Sequence, residues 1–122
     1  MSFFLTFYHT LRFWIVIIIL SIILGTIATA LGIFDKSGNQ SHKVAALWSK
    51  LICRWNGIKV EITGAENILL DQPQIFIANH QGYYDIFALA GYLGVQLRWV
   101  SKSILFRIPF MGWAMSAAGY IP

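Results

Sequence analysis

Charge is what this sequence has least of: 11% of its 122 residues are Asp, Glu, Lys or Arg, against about 25% in an ordinary soluble domain. That scarcity excludes a disordered tail, a nucleic-acid arm and a coiled coil, each of which depends on many charges. The nine Lys and Arg against five Asp and Glu leave a net charge of +4, but the cations are dispersed rather than clustered as a phosphate-tracking surface needs. Nucleic acid is therefore not an expected partner. Cysteine is nearly absent too: Cys53 alone permits no internal disulfide and offers no second thiolate for zinc. His9, His42 and Cys53 lie in or near apolar segments with no ligand at metal spacing, so no metal is expected. Repeats and low-complexity tracts are also missing. What is abundant is apolar surface, 57% of positions, with 16% aromatic. The chain wants lipid or a large partner surface to cover it.

Residues 13–34 carry no charge and are flanked by Arg12 and by Asp35-Lys36. As a helix this run is roughly 33 Å long, enough for the ~30 Å hydrocarbon layer. A membrane helix over residues 1–34 is the expectation. The competing reading is a cleaved signal peptide, with Ala28-Thr29-Ala30 as a small-x-small site, although the apolar run continues past it to Phe34. Lys36, Lys43, Lys50 and Arg54 all follow the run, so the cation rule places the rest of the chain in the cytoplasm, as a single-pass protein of a membrane that is expected to be the bacterial inner one. Residues 35–57 read as a polar hinge and an amphipathic helix, with Ser41 as its N-cap and Asn56-Gly57 as its stop. Val44, Leu47, Trp48, Leu51, Ile52 and Trp55 form its apolar stripe, and Lys43, Lys50 and Arg54 a narrow basic one. The stripe fits either the headgroup boundary or a protein core.

Residues 58–122 alternate strand and helix signals. Ile58, Val60 and Ile62 recur at period two, and residues 74–78 form a short apolar run of the kind buried on both faces of a sheet. A helix over about 85–93, a strand at 97–100, a helical stretch from Ser103 interrupted by Pro109 and Gly112, and a strand opening at Gly119 complete the order. The expected fold class is α/β, a membrane helix followed by the first part of a mainly parallel sheet. Only 88 residues follow Phe34, too few for a comfortable core, so the chain reads as an N-terminal piece of a longer protein.

The chemistry concentrates in Asn79-His80-Gln81-Gly82-Tyr83-Tyr84-Asp85. On an unbroken helix positions five apart diverge by about 140°. Here His80 ends a strand, Gly82 can turn the chain, and Asp85 falls in the first turn of the next helix, so imidazole and carboxylate can face one another. An imidazole can then take a proton from a hydroxyl while the carboxylate fixes its tautomer, and the helix N-terminus favours the ionised carboxylate. No serine or cysteine nucleophile stands in the loop, which points to direct attack by a substrate hydroxyl, as in acyl transfer to an alcohol. A capping pair with no catalytic role is the alternative these residues leave open.

Residues 77–85 resemble the first motif, N-H-x-x-x-x-D, of the glycerophospholipid acyltransferase family, in particular its bacterial 1-acyl-glycerol-3-phosphate acyltransferases, with Gly82 where serine is usual. Residues 101–113, from Ser101-Lys102-Ser103 to Phe110-Met111-Gly112-Trp113, resemble the segment that follows it, although many members carry Lys-Glu where this chain has Ser103-Ile104. Gly119-Tyr120-Ile121-Pro122 resembles the opening of the second motif. The resemblance implies a membrane enzyme of phospholipid biosynthesis that transfers an acyl group from acyl-CoA or acyl carrier protein to the 2-hydroxyl of lysophosphatidic acid, making phosphatidic acid without a cofactor. It implies His80 as general base, Asp85 as its orienting partner, and Asn79, Gly82 and Lys102 in substrate binding, Lys102 towards the acceptor phosphate. The family's second-motif arginine and third motif would lie beyond Pro122, so the 122 residues alone are expected to be inactive. A related enzyme acting on another lysolipid, and a non-catalytic membrane-anchored remnant, are the alternatives.

Overall fold

The computed structural model describes residues 3–122, so the first two residues of the expected membrane helix lie outside the described residues. Helix α1, Phe3–Phe34, takes in the whole apolar run. Asp35 then turns the chain: its carboxylate accepts the Ser37 and Gln40 backbone N–H groups at 3.0 and 2.8 Å, while Gly38 adopts a left-handed conformation (φ 73°) that a side chain would resist. Helix α2, Asn39–Trp55, follows. The turn is already capped by Asp35, so Ser41 is not the N-cap the sequence predicts; it lies inside α2 and its buried Oγ donates to the Ala28 carbonyl at 2.8 Å.

Two contacts fix the α1–α2 register. Ser41 meets Ala28, and one face further along Trp48 Nε1 donates to Ser21 Oγ at 3.2 Å. Rising numbers on α2 meet falling numbers on α1, an antiparallel hairpin. Beyond it, Phe13, Ile17 and Leu20 pack on a core of Ile52, Cys53 and Phe87. Helix α3, Tyr83–Tyr92, supplies Phe87, whose ring meets Trp48 edge-on at 5.2 Å. Its Gly91 lets the backbone of Lys50 approach, since a Cβ there would lie 3.1 Å from the Lys50 nitrogen. A 3-10 turn over Ser103–Arg107 leads to helix α4, Met111–Ala117, which lies on α1. The approach needs small residues on α1: a Cβ on Gly25 would come 2.9 Å from the Phe110 carbonyl oxygen, and one on Gly32 2.6 Å from Ala117 Cβ.

The α2 stripe thus packs on protein, with Ile52 and Cys53 fully buried, while Leu47, Trp55 and all three cations of the basic stripe remain exposed. α1 has two unlike faces. Small and aromatic residues face α2, α3 and α4, whereas Ile15, Ile18, Ile19, Ile22, Ile23 and Ile27 stay exposed on the other side.

The sheet is the main departure from expectation. The described residues form mostly helix and no strand; their only β feature is a parallel bridge between Val100 and Ile121, closed by Ser101 N–H to the Ile121 carbonyl and Ile121 N–H to the Trp99 carbonyl, both at 2.8 Å. Residues 58–62 and 74–78 run as irregular chain, and Ile75 and Ile77 are 90% and 94% exposed. A strand is stabilised by the backbone groups of a neighbour on each side, and none of the described residues lies there to pair. The bridge itself is pinned from α2. Buried His42 places Nδ1 2.7 Å from Tyr120 Oη and accepts the Leu97 N–H at Nε2, and burial holds His42 below its ordinary pKa, favouring the neutral ring.

Candidate active site

The loop between the irregular segment ending at His80 and α3 has the geometry the spacing calls for. Gly82, the residue before α3, is extended (φ −165°), and Asp85 occupies the third position of the helix. Glycine has no side chain with which to cap, so Asp85 performs the cap by itself: its Oδ2 accepts the backbone N–H of Gln81 at 2.6 Å and of Gly82 at 2.9 Å. The same oxygen lies 3.2 Å from His80 Nδ1. Those backbone donors, Gly82 first and then Gln81, hold Asp85 below the usual carboxylate range, and the His80 contact adds to them. The carboxylate therefore stays ionised at neutral pH. An ionised carboxylate can only accept, so Nδ1 of the neutral ring carries the proton and Nε2 is left with its lone pair. The pair is open to its surroundings, with side chains 60% and 37% exposed. A substrate hydroxyl can reach it.

Immediately beyond the pair the surface turns apolar. Tyr83, the first residue of α3, meets Trp14 of α1 edge-on at 6.3 Å, and both line a cavity of about 370 Å³. Its walls come from all four helices and the 3-10 turn: Leu24, Trp48, Phe87, Leu105 and Met115 among them. The volume falls in the range of about 300–1,000 Å³ usual for small-molecule sites. The sequence points to none of these residues as a set, because their convergence depends on how α1 packs.

The other sequence-predicted site residues are less closely gathered. Gly82 belongs to the dyad loop through its N–H, and Asn79 lies exposed one residue before His80. Lys102 is exposed just before the 3-10 turn over Ser103–Arg107, and no hydrogen bond or ion pair among the described residues joins it to His80 or Asp85. Its neighbour Ser101 does line the cavity. No three His, Cys, Asp or Glu among the described residues cluster in a way that could hold a metal ion.

A family model described as Acyltransferase matches residues 59–122. The chain is 39% identical over 82 residues to the chloroplastic 1-acyl-sn-glycerol-3-phosphate acyltransferase of Arabidopsis thaliana, covering 66% of this chain and 22% of that protein. It is 37% identical over 92 residues to the chloroplastic enzyme of that name from Brassica napus, covering 74% and 26%. With the 1-acyl-sn-glycerol-3-phosphate acyltransferase of Saccharomyces cerevisiae it shares 40% over 63 residues, covering 52% and 20%. The chain thus spans about a quarter or less of the length of these curated relatives. No solved structure matches.

Proposed function

The chain belongs to the acyltransferase family, and on that premise we propose that the protein carrying it transfers an acyl group from an acyl thioester to the 2-hydroxyl of 1-acyl-glycerol-3-phosphate, giving phosphatidic acid. The observation that carries this reading is the His80–Asp85 pair, 3.2 Å apart, with Tyr83 between them in sequence lining an apolar cavity. His80 Nε2 takes the proton of the 2-hydroxyl as its oxygen attacks the thioester carbonyl, and Asp85 stabilises the imidazolium that forms. When the tetrahedral intermediate collapses, the C–S bond breaks and the imidazolium returns the proton to the departing thiolate. The donor is acyl-CoA or acyl carrier protein, and the cavity receives an acyl chain. Lys102, Asn79 and Gly82 serve acceptor binding, and the 122 residues alone are inactive for want of further phosphate ligands. The test is direct. The complete gene product in detergent, given oleoyl-CoA and 1-oleoyl-lysophosphatidate, is expected to form phosphatidic acid measurable by chromatography; no product with either donor thioester would sink the reading.

Membrane association follows from α1, the one helix among the described residues long and apolar enough to cross a bilayer. The single-pass arrangement expected from sequence is revised in this proposal. Phe13 of α1 sits 5.5 Å from the Tyr84 ring and Trp14 6.3 Å from Tyr83, so the start of the apolar run lies beside the dyad loop. A lone span would draw α2 and α3, with Lys43, Lys50, Arg54 and Asp85, alongside it into hydrocarbon. Each such charge costs about 2.5–3.5 kcal/mol at the bilayer centre. The outward isoleucine face of α1 instead rests in one leaflet, with the dyad on the cytoplasmic side. Single cysteines at Thr10→Cys and Lys59→Cys are expected to react with an impermeant maleimide from the same side of sealed vesicles. Labelling from opposite sides would restore the span.

A further inference from the structure

Arg12 carries an unexplained feature. Its Nε is buried and has no hydrogen-bond partner, alone among the buried side-chain nitrogens and oxygens of the described residues. No carboxylate among the described residues forms an ion pair with it. Glu61 is taken by Lys59 at 2.9 Å, Asp85 by His80 and the dyad loop, and Asp35 by the turn before α2. What surrounds Arg12 is aromatic. Its guanidinium carbon lies 5.9 Å from the centre of the Tyr8 ring. Tyr84 is near enough that the Arg12 charge opposes the upward push that burial gives its phenol. A guanidinium stripped of water on one edge and left without a counter-ion is costly unless something else supplies the acceptor oxygens.

Its place in the fold says what that is. Arg12 stands at the boundary of the apolar run, next to Phe13 and Trp14, which contact Tyr84 and Tyr83. Those tyrosines directly follow the dyad loop and precede Asp85. A ligand that binds here has an anionic head at Arg12 and an apolar body in the cavity lined by Phe13 and Trp14. The planar fork of arginine matches two oxygens of a phosphate at once, which a lysine does not. We propose that Arg12 binds the phosphate of a glycerophosphate lipid beside the His80–Asp85 pair. That the phosphate is the acceptor's rests on the acyltransferase reading; in lysophosphatidate only C3 and its ester oxygen separate the C2 carbon from the phosphorus, so a base on the 2-hydroxyl requires a phosphate ligand close by. The same chemistry could be met by the phosphate of a bilayer lipid, and the experiment separates the two sources.

In the complete gene product in dodecylmaltoside, calorimetric titration with 1-oleoyl-lysophosphatidate and with phosphate-free 1-oleoylglycerol is compared for wild type, Arg12→Gln and Arg12→Lys. Arg12→Gln is expected to weaken lysophosphatidate about ten-fold or more, the loss of a charge-assisted hydrogen bond, with oleoylglycerol changed less than about two-fold, and Arg12→Lys is expected to recover part of the loss. If lysophosphatidate binding holds but flotation on phosphatidylglycerol vesicles, relative to monoacylglycerol-doped neutral ones, falls in Arg12→Gln, the phosphate belongs to the bilayer and the site stands. Unchanged behaviour in both assays overturns it. Should Arg12→Gln fail to fold, inorganic phosphate is titrated against lysophosphatidate on wild type and Arg12→Lys: competition that is weaker in Arg12→Lys supports the site, and equal competition in the two overturns it. Wild type that binds lysophosphatidate through Arg12 yet transfers no acyl group would remove the acyltransferase reading and leave this one.

Discussion

Replacing His80 by alanine in the complete gene product is expected to lower acyl transfer to lysophosphatidate by at least ~10²-fold, the lower end of what a positioned general base contributes. The expectation rests on the division of labour in the ring. Nδ1 faces a carboxylate whose Oδ2 also takes the Gln81 and Gly82 N–H groups, so the ring is anchored at one nitrogen and basic at the other. Alanine removes the base and leaves Asp85 in place as a helix cap, so α3 should keep its start and the fold its stability. The loss should accordingly fall on kcat while the KM for lysophosphatidate moves little. A variant within a few-fold of wild type would show that His80 is only a partner of the cap. Asp85→Asn would not make that distinction, because it leaves the His80 ring in place and its amide oxygen can still accept the Gln81 and Gly82 N–H groups.

The contact between His80 and Asp85 was legible in the sequence because everything that makes it is local: six residues, one turn and one helix start. The uncharged run locates α1, the apolar periodicity α2 and α3, and the interruption at Pro109 does separate a 3-10 turn from α4, whereas Gly112 lies inside α4. What the pattern could not convey depends on contacts distant in sequence. Residues 13–34 are apolar on every side, so no stripe distinguishes the face that packs from the face that stays exposed, and the run reads as a free-standing span. Only Gly25, Ala28 and Gly32 hint at a seam, and they become meaningful once Phe110, Ser41 and Ala117 respectively lie against them. The period-two pattern at Ile58, Val60 and Ile62 describes a strand that needs neighbours to exist, whereas a helix of several turns bonds most of its own backbone. Orphaned Arg12 and the cavity are likewise products of packing. His42 belongs here too: as a lone histidine it signalled nothing, yet it joins α2 to both sides of the Val100–Ile121 bridge.

The second large effect is expected in stability, at Gly112. A Cβ at this position would overlap the carbonyl oxygen of Phe106, with the Phe106 Cα at 2.8 Å. These are backbone atoms of the 3-10 turn, so no side chain can swing aside. The turn from Ile108 to Met111 has little slack either. The Gly112 N–H bonds the Ile108 carbonyl at 2.8 Å, the Met111 N–H bonds the Pro109 carbonyl at 2.7 Å, and Phe110 between them is already held at φ 63°, a strained conformation for a residue with a side chain. Relief must therefore come from shifting α4 as a whole. But α4 is seated on α1 through Phe110 at Gly25 and Ala117 at Gly32, and it leads into Tyr120, which His42 holds. Overpacking that moves backbone costs about 1–3 kcal/mol and occasionally more, and Gly112→Ala should lie at or above the top of that range. Gly82→Ala is the matched control: its site is open and extended, so its change should stay within about 0.5 kcal/mol. Denaturant unfolding of the two variants in detergent reads the difference. If Gly112→Ala proves as mild as Gly82→Ala, the 3-10 turn gives way at Phe106 without moving α4, and the seat of α4 on α1 through Gly25 and Gly32 does not depend on that close approach.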